Sequence, residues 1–178
     1  GADVVGLQEV DNNRVRSGFE NQVRSLAAAL GHRYWQHFPS EDYWPLGTYG
    51  TAAISSLPVV ASSVFDLPIV EKKPLRHLAW IKFLADCRPI HAFILHATRG
   101  DDSIASAQAV QIEAAWLIIS EKVDATREPV ILLGDFNASS NSQVMRWLRE
   151  RMTDVIESQL PQPSFSASID HIFVKGGL

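Results

Sequence analysis

Acidic, amide and imidazole side chains stand at or near the ends of several apolar runs in this sequence. Glu9 and His96 each close such a run, and Asp170 lies inside another. A Gly-Asp-Phe-Asn turn places Asp135 and Asn137 two residues apart, so both side chains point to the same side. Carboxylate and amide oxygens are ligands for hard cations, and groups of these types also activate water and stabilise developing negative charge. The sequence therefore offers chemistry based on oxygen ligands.

Each of these residues also has an ordinary structural explanation. A carboxylate at the end of a strand, such as Glu9, is commonly solvated or caps a backbone group. The turn that contains Asp135 fits a β-turn with an Asx cap equally well. His96 fits a hydrogen-bonded core histidine, and Asp170 fits a turn residue that starts a strand, since an unpaired buried carboxylate is costly. Taken singly, none of them decides between chemistry and structure.

The composition predicts one packed domain over residues 1–178 and excludes several other classes. Hydrophobic residues make up 46% and charged residues 20%, which argues against disorder. The single cysteine, Cys87, allows no internal disulfide, and no Cys/His spacing suits zinc. A net charge of −4 does not indicate a broad basic face for nucleic acid. No apolar run approaches the ~20 residues of a membrane span, and the compartment stays open, with the cytoplasm slightly favoured.

The candidate residues have to be positioned by strands and helices that alternate along the chain. Short apolar runs separated by Gly and Pro predict strands, several of them joined as antiparallel hairpins. This order predicts an α/β (α+β) fold in which two sheets pack face to face with helices outside. The predicted strands are Val4–Val10, Tyr34–Phe38, Thr51–Ser55, Val59–Phe65, Leu78–Leu84, Ile90–His96, Pro129–Leu133 and Ile169–Val174.

Two capping-box patterns and one periodic stretch predict the helices. Ser17 with Glu20 predicts the start of the first helix, and Ser140 with Gln143 predicts the start of the last. Between residues 103 and 123, apolar residues recur at helical spacing and predict the helix between them. The apolar face of the first helix is expected to comprise Phe19, Val23, Leu26 and Leu30.

Five short motifs form an ordered set that is more specific than any one of them. They are Gln8-Glu9, Tyr49 to Pro58, Leu95-His96, Gly134 to Ala138 and Ile169 to Phe173. In this order and spacing the chain resembles the endonuclease/exonuclease/phosphatase superfamily, which has the deoxyribonuclease I-like fold, over nearly its whole length. The stretch from Val10 to Gln22 is similar to bacterial members described as metal-dependent hydrolases. The resemblance implies a four-layer sandwich and hydrolysis of phosphate esters.

The resemblance implies a role for each candidate residue. Glu9 matches the ligand of a Mg²⁺ ion, for which Mn²⁺ is a possible substitute. Asp135 matches the acid that orients or deprotonates the attacking water, and Asn137 matches the amide that hydrogen-bonds phosphate oxygens. His96 matches a histidine that contacts or protonates the phosphoryl group. Asp170 matches the acid that orients a second histidine near the C-terminus of family members.

The match to the superfamily is incomplete at both ends. Members normally carry an Asn on a strand some tens of residues before the Gln-Glu pair, whereas this chain starts eight residues before Glu9. Members also close with a Ser-Asp-His segment, and no residue here can be assigned to that histidine, so Asp170 lacks its implied partner. Thr51 and Ser168 stand where members often have Asn and Arg. We therefore expect residues 1–178 to be a trimmed piece of a longer enzyme.

A basic segment from Lys72 to His77 is the candidate for binding the substrate phosphate. Within it, Lys73 and Arg76 are the residues that we expect to make the contact. A run of charge is also commonly a solvated loop, so that explanation stays open. Tyr43 and Trp44 either line a rim for the substrate or pack within a hairpin.

Three hypotheses for the whole chain follow. The leading one is a Mg²⁺-dependent phosphoesterase whose substrate is nucleic acid, a nucleotide, or a phospholipid or inositol phosphate headgroup. The second is a non-catalytic binding module that retains the fold. The third is an unrelated α/β domain with chance matches, which requires that Glu9, Asp135 and Asp170 do not converge.

Overall fold

A three-stranded antiparallel sheet, sheet A, carries the first candidate residue, Glu9. The structure is a computed structural model that describes residues 1–70, 75–100, 106–155 and 168–177. Sheet A has the strand order β1-β3-β2, so β3 is its central strand. Its strands are β1 (Val4–Asn12), β2 (Tyr34–Asp42) and β3 (Thr48–Ser55).

A six-stranded sheet, sheet B, carries the other candidate residues. Its strand order is β4-β5-β6-β7-β9-β8. The β6–β7 pair is parallel and the other neighbouring pairs are antiparallel. Its strands are β4 (Val59–Asp66), β5 (His77–Ala85), β6 (Arg88–His96), β7 (Val130–Asp135), β8 (Thr153–Asp154) and β9 (Asp170–Lys175).

Three separate apolar cores divide the described chain into four layers. The helices are α1 (Gln22–Leu30), α2 (Ala107–Lys122) and α3 (Gln143–Arg149). Helix α1 packs on sheet A, the two sheets pack on each other, and α2 and α3 cover the far face of sheet B. This helix-sheet-sheet-helix stack confirms the predicted fold. No helix in the described ranges is long and apolar enough to cross a bilayer.

The close approach of the two sheets depends on Gly6 in β1. A Cβ atom at Gly6 would lie 2.2 Å from Cδ1 of Leu133 in β7, which is far inside van der Waals contact. The missing side chain therefore allows β1 to lie directly against β7. Because Glu9 follows Gly6 on the same strand, this contact brings the end of β1 towards the end of β7.

Both predicted capping boxes were misplaced. The N-cap of α1 is Asn21, whose side chain accepts from the Arg24 N–H, whereas Ser17 ends a short 3-10 helix. The residues after Ser17, Gly18 and Phe19, have positive φ angles of 64° and 61°, which interrupt any helix there. Helix α3 is capped by Ser142.

The predicted apolar face of α1 was also wrong in part. Phe19, Leu26 and Leu30 are 59%, 42% and 52% exposed, and the helix buries only Val23 and Ala27. The cause is the late start of the helix, since Phe19 lies outside it and only one narrow stripe meets sheet A.

Candidate active site

Three of the predicted residues lie at one level across neighbouring strands of sheet B. His96 in β6 pairs with Asp135 in β7, and Asp135 pairs with Asp170 in β9. His96 Nε2 lies 4.0 Å from Asp135 Oδ2. Ala92 and Ile94 precede His96 at two-residue intervals and belong to the core between the sheets, so this row is on the face of sheet B that meets sheet A.

Glu9 lies opposite this row, at an irregularity in sheet A. The pairing of β1 with β3 jumps from Leu7–Ala52 to Val10–Gly50, so Gln8 and Glu9 together oppose Thr51. Glu9 has a φ of 59°, a left-handed conformation that is uncommon for a residue with a side chain. Its carboxylate is exposed and hydrogen-bonds the Tyr49 phenol. The bulge thus places the acid of sheet A at a solvent-accessible end of the two packed sheets, where the Asp135 side chain is also partly exposed; we call this region the cleft.

The Gly-Asp-Phe-Asn turn is held in a conformation that few sequences allow. Gly134 has a φ of 138°, and a Cβ there would lie 2.0 Å from the Leu95 carbonyl oxygen. Asn137 has a φ of 47°, and its backbone N–H donates to Asp135 Oδ1 at 2.8 Å. The expected Asx turn therefore exists, and it is also the contact that orients the Asp135 carboxylate. The two explanations of this motif are compatible.

The Asn137 side chain is anchored at one point. Its Nδ2 donates to the Ala97 carbonyl oxygen at 2.9 Å, which uses one of the two amide hydrogens. Because Ala97 directly follows His96, this bond fixes the Asn137 amide at the end of β6. Its second N–H has no protein acceptor among the residues described.

Arg76 supplies positive charge next to the row of sheet B. Its Nε is buried and has no hydrogen-bond partner among the described residues. The Arg76 charge contributes to the lowered pKa of His96, after burial, and opposes the raised pKa of Asp135, so the guanidinium lies near both. Lys73, the other predicted phosphate contact, lies outside the described residues.

The electrostatic environment raises the pKa of the Asp135 carboxyl. Burial is the largest cause, and the negative charges of Asp170 and Glu9 act in the same direction. The hydrogen bond from Asn137 and the charge of Arg76 oppose the shift. These electrostatic effects show that Glu9 and Asp170 both lie near Asp135. The hypothesis of chance matches requires that the three acids do not converge, so this observation argues against it.

Burial keeps the His96 imidazole neutral at ordinary pH. Burial is the largest cause that lowers the pKa of His96 to about 4; the charge of Arg76 contributes to this shift and the charge of Glu9 opposes it. His96 is only 4% exposed. Near pH 7 it therefore has one N–H donor and one nitrogen acceptor.

Sequence reasoning assigned His77 to the basic segment, although it is a buried strand residue. It is the first residue of β5 and is 7% exposed, and its Nε2 lies 3.0 Å from Thr51 Oγ1 on sheet A. Burial lowers the pKa of His77 to about 4. Alternation was the available signal, since His77 precedes Ala79 and Ile81 at two-residue intervals on the inward face of β5.

The turn between β2 and β3 contains the two aromatic residues that were considered for a substrate rim, Tyr43 and Trp44. Trp44 is 82% exposed, so of the two alternatives for this residue, packing within the hairpin is excluded. Tyr43 is partly covered by Arg14, whose guanidinium carbon lies 3.2 Å from the centre of the ring. The hairpin therefore presents aromatic surface to solvent.

The sequence was compared with models of protein families. The model of the endonuclease/exonuclease/phosphatase family matches residues 1–178. The chain belongs to this family. Members of the endonuclease/exonuclease/phosphatase family are hydrolases that act on phosphate esters. A comparison with curated protein sequences found no match.

Solved structures of other proteins share the fold of this family member. The catalytic domain of human Nocturnin, solved with a bound sulfate, has a TM-score of 0.74 at 17% identity, covering 97% of this chain and 69% of that chain. A mannosyl-6-phosphatase of Bacteroides thetaiotaomicron has a TM-score of 0.74 at 19% identity, covering 97% and 71%. Sphingomyelinase C of Streptomyces griseocarneus has a TM-score of 0.68 at 17% identity, covering 98% and 71%.

The two buried histidines predict how stability depends on pH. Because the folded pKa values of His77 and His96 are about 4 and the ordinary value is 6.5, the unfolded chain binds protons in this window that the folded chain does not. The two histidines therefore do not reduce the free energy of unfolding above pH 6.5. As the pH drops from 6.5 towards 4, the free energy of unfolding falls by about 3 kcal/mol for each histidine. The raised pKa of Asp135 has the opposite effect on stability near pH 4, because the folded state there binds its proton more tightly than the unfolded state does.

Urea unfolding between pH 7 and pH 4.5 measures this dependence. The slope of the unfolding free energy against pH gives the number of protons taken up on unfolding. We expect this number to be smaller by about one in His96→Gln than in the wild type. Equal slopes in the two proteins would show that His96 titrates normally in the folded state.

Proposed function

We propose that this family member is a Mg²⁺-dependent phosphoesterase, in which a water molecule attacks the phosphorus in line with the leaving group. The observation that carries the proposal is that Glu9 on sheet A lies close enough to the row of sheet B for its charge to act on both His96 and Asp135, while Asp170 pairs with Asp135. Acids, an amide, a neutral imidazole and an arginine thus meet in one cleft. This set of groups suits the stabilisation of a phosphate that gains negative charge.

The donor set fits a hydrated cation better than a tightly enclosed one. Among the described residues, no three His, Cys, Asp or Glu side chains gather into a metal-binding group, so they do not fit a closed zinc site. Mg²⁺ needs only one or two carboxylates because it keeps several waters. Glu9 is an exposed carboxylate, and its charge disfavours ionisation of Asp135, a repulsion that a cation relieves. When bound, the cation would polarise a phosphate oxygen and neutralise developing charge.

Asp135 is the residue that we assign to the attacking water. Its side chain is 22% exposed and therefore reachable from the cleft. The N–H of Asn137 holds Oδ1, which leaves Oδ2 to accept a proton from water. The neighbouring charge of Asp170 helps to raise the pKa of Asp135, and a raised pKa makes an ionised carboxylate a stronger base.

His96, Asn137 and Arg76 are assigned to the phosphoryl oxygens. A neutral His96 donates one N–H, and Asn137 has one amide hydrogen beyond the bond to Ala97. The guanidinium of Arg76 presents several donors in a fixed plane, which matches two oxygens of one phosphate. These donors are already in place before substrate binds, which is the condition for stabilising a transition state without reorganisation.

The substrate of this chain is a phosphate ester, and its leaving group is the open part of the proposal. The solved neighbours include a mannosyl-6-phosphatase and a sphingomyelinase C, and the exposed Trp44 hairpin suits a substrate with apolar or aromatic surface. Nucleic acid, nucleotides and lipid headgroups therefore all belong in the test.

A hydrolysis panel tests the proposed function. The purified chain is incubated with bis-p-nitrophenyl phosphate, p-nitrophenyl phosphate, single- and double-stranded DNA, nucleotides and sphingomyelin vesicles. We expect turnover of at least one ester in Mg²⁺ or Mn²⁺, loss of it in EDTA, and its return when Mg²⁺ is added in excess. Tight binding of a phosphate ester without turnover would support the non-catalytic binding module instead.

A further inference from the structure

One buried polar contact joins the two sheets beside Glu9. Thr51 Oγ1 on β3 lies 3.0 Å from His77 Nε2 on β5. Thr51 is 3% exposed and His77 is 7% exposed, so water does not compete for this bond. A buried hydrogen bond of this kind is directional, and leaving either partner unsatisfied is costly. It therefore fixes a distance between the sheets as well as adding stability.

The two ends of this bond lie at informative positions. Thr51 is the residue of β3 that opposes the Gln8–Glu9 bulge. On sheet B, His77 directly follows Arg76, and Leu78 pairs with Leu95, so His77 lies beside His96. The bond thus joins Thr51, which lies opposite the proposed metal ligand, to His77, which is next to the two proposed phosphate contacts Arg76 and His96.

The left-handed conformation of Glu9 needs support from its surroundings. A φ of 59° is unfavourable for a residue with a side chain, and such a conformation persists only when neighbouring contacts impose it. Tyr49 contacts the Glu9 carboxylate directly. Thr51 holds the strand opposite the bulge at a set height above sheet B, so its bond limits how far the bulge can move towards or away from the row.

We infer that Thr51 and His77 are positioning residues that hold the Glu9 bulge of sheet A at a fixed distance from Arg76 and His96 on sheet B. The inference rests on the proposed active site, because it assigns a task to a contact that touches neither substrate nor metal there. If the Thr51–His77 bond does not position Glu9, it is an ordinary buried hydrogen bond that only adds stability. The two cases differ in what happens to metal affinity when the bond is removed.

Four single variants and one double variant separate these cases. Thr51→Val removes the hydroxyl at nearly constant shape, and Thr51→Ser keeps it. His77→Leu removes the ring nitrogens, whereas the amide of His77→Gln reaches the former position of Nε2. We expect Thr51→Val and His77→Leu each to lower kcat and Mn²⁺ affinity by about tenfold, since small misplacements of reacting groups have large effects. The serine and glutamine variants should keep most of both.

The double variant Thr51→Val/His77→Leu tests whether the two residues act as one unit. If they act through their shared bond, its losses match those of the worse single variant and do not multiply. Mn²⁺ affinity is measured by electron paramagnetic resonance of the free ion in the absence of any ester, so this readout does not depend on turnover.

Trp80→Phe is the matched control. Trp80 Nε1 donates to His91 Nδ1 at 3.0 Å, a second buried hydrogen bond to a histidine in sheet B, and neither residue is in the candidate site. We expect this variant to lower the melting temperature while leaving Mn²⁺ affinity and kcat within about twofold of the wild type.

The outcomes separate the inference from the proposed function. If Thr51→Val and His77→Leu lower the melting temperature as Trp80→Phe does, and Mn²⁺ affinity does not change, the bond is structural only and the inference is overturned. If the wild type binds Mn²⁺ but hydrolyses no ester, the proposed function fails and the Mn²⁺ affinities still decide the inference. Loss of affinity in the serine and glutamine variants would also overturn it.

Discussion

Asp135→Asn is expected to reduce kcat for phosphate-ester hydrolysis by about 10³-fold, the central part of the range for a general base. The asparagine keeps the shape of the side chain, and its Oδ1 still accepts from the Asn137 N–H that now holds the carboxylate at 2.8 Å. What it loses is the capacity to accept a proton from water. KM should change little, because the residues assigned to the phosphate remain in place.

Steady-state kinetics at saturating Mg²⁺ measures this loss. Asp86→Asn is the matched control, because it makes the same chemical change at the turn between β5 and β6, where the φ of 49° suits asparagine. We expect the control to retain full activity and both variants to unfold in a single transition. An Asp135→Asn enzyme with more than a tenth of the wild-type kcat would exclude Asp135 as the base. A gain in stability is also expected, because burial and two neighbouring acids disfavour the charge.

The ends of the strands were predictable from the sequence, and they explain why most of the candidate residues converge. An apolar run that stops at a polar residue marks the point where a strand leaves the core, and alternation fixes which side chains face inward. His96 was located in this way, whereas Asp135 was located by the Gly-Asp-Phe-Asn turn after its strand and Asp170 as an acid within the last predicted strand. Their alignment at one level was not predictable, because it depends on the register of β6, β7 and β9, and these pairings form between segments far apart in sequence.

Backbone conformation was the part that sequence patterns did not capture. Glu9 and Asn137 both have positive φ angles, although neither is a glycine. The same limitation explains the misplaced start of α1, where Ser17 fits a capping box but the next residues are left-handed. Such conformations are imposed by contacts elsewhere in the fold, so they cannot be predicted from local sequence propensity.

The assignment of His77 shows how a charge pattern can hide a structural signal. Its position after Arg76 favoured a solvated loop, whereas alternation with Ala79 and Ile81 favoured an inward strand position. Burial decided the outcome because His77 stays neutral and finds a partner in Thr51. A neutral imidazole with one hydrogen bond is tolerated in a core at a much lower cost than a charged side chain.

Glu9→Gln is expected to lower kcat by about 10²-fold and to raise the Mg²⁺ concentration needed for half-maximal activity, since it removes the charge of the proposed ligand at constant shape. Two further effects have a defined sign in the metal-free protein. Burial is the largest cause that raises the pKa of Asp135 and that raises the pKa of the Tyr49 phenol to about 12, and Glu9 adds to both shifts. Removal of its charge should therefore lower both, so that Asp135 ionises at a lower pH and Tyr49 forms phenolate at a lower pH.

Taken with Mg²⁺ activation, these shifts separate a carboxylate that holds the metal from one that only lies near the site. Carbon-13 NMR of the carboxyl groups follows Asp135, and ultraviolet absorbance follows Tyr49. Glu121→Gln, the same change on the exposed side of α2, is the control that should leave every one of these quantities unaltered. If Glu9→Gln weakens Mg²⁺ activation and lowers both pKa values, Glu9 acts through its charge at the cleft. If the pKa values fall while Mg²⁺ activation is unchanged, the carboxylate is near the site but does not hold the metal, and the ligand must be sought among Asp135 and Asp170.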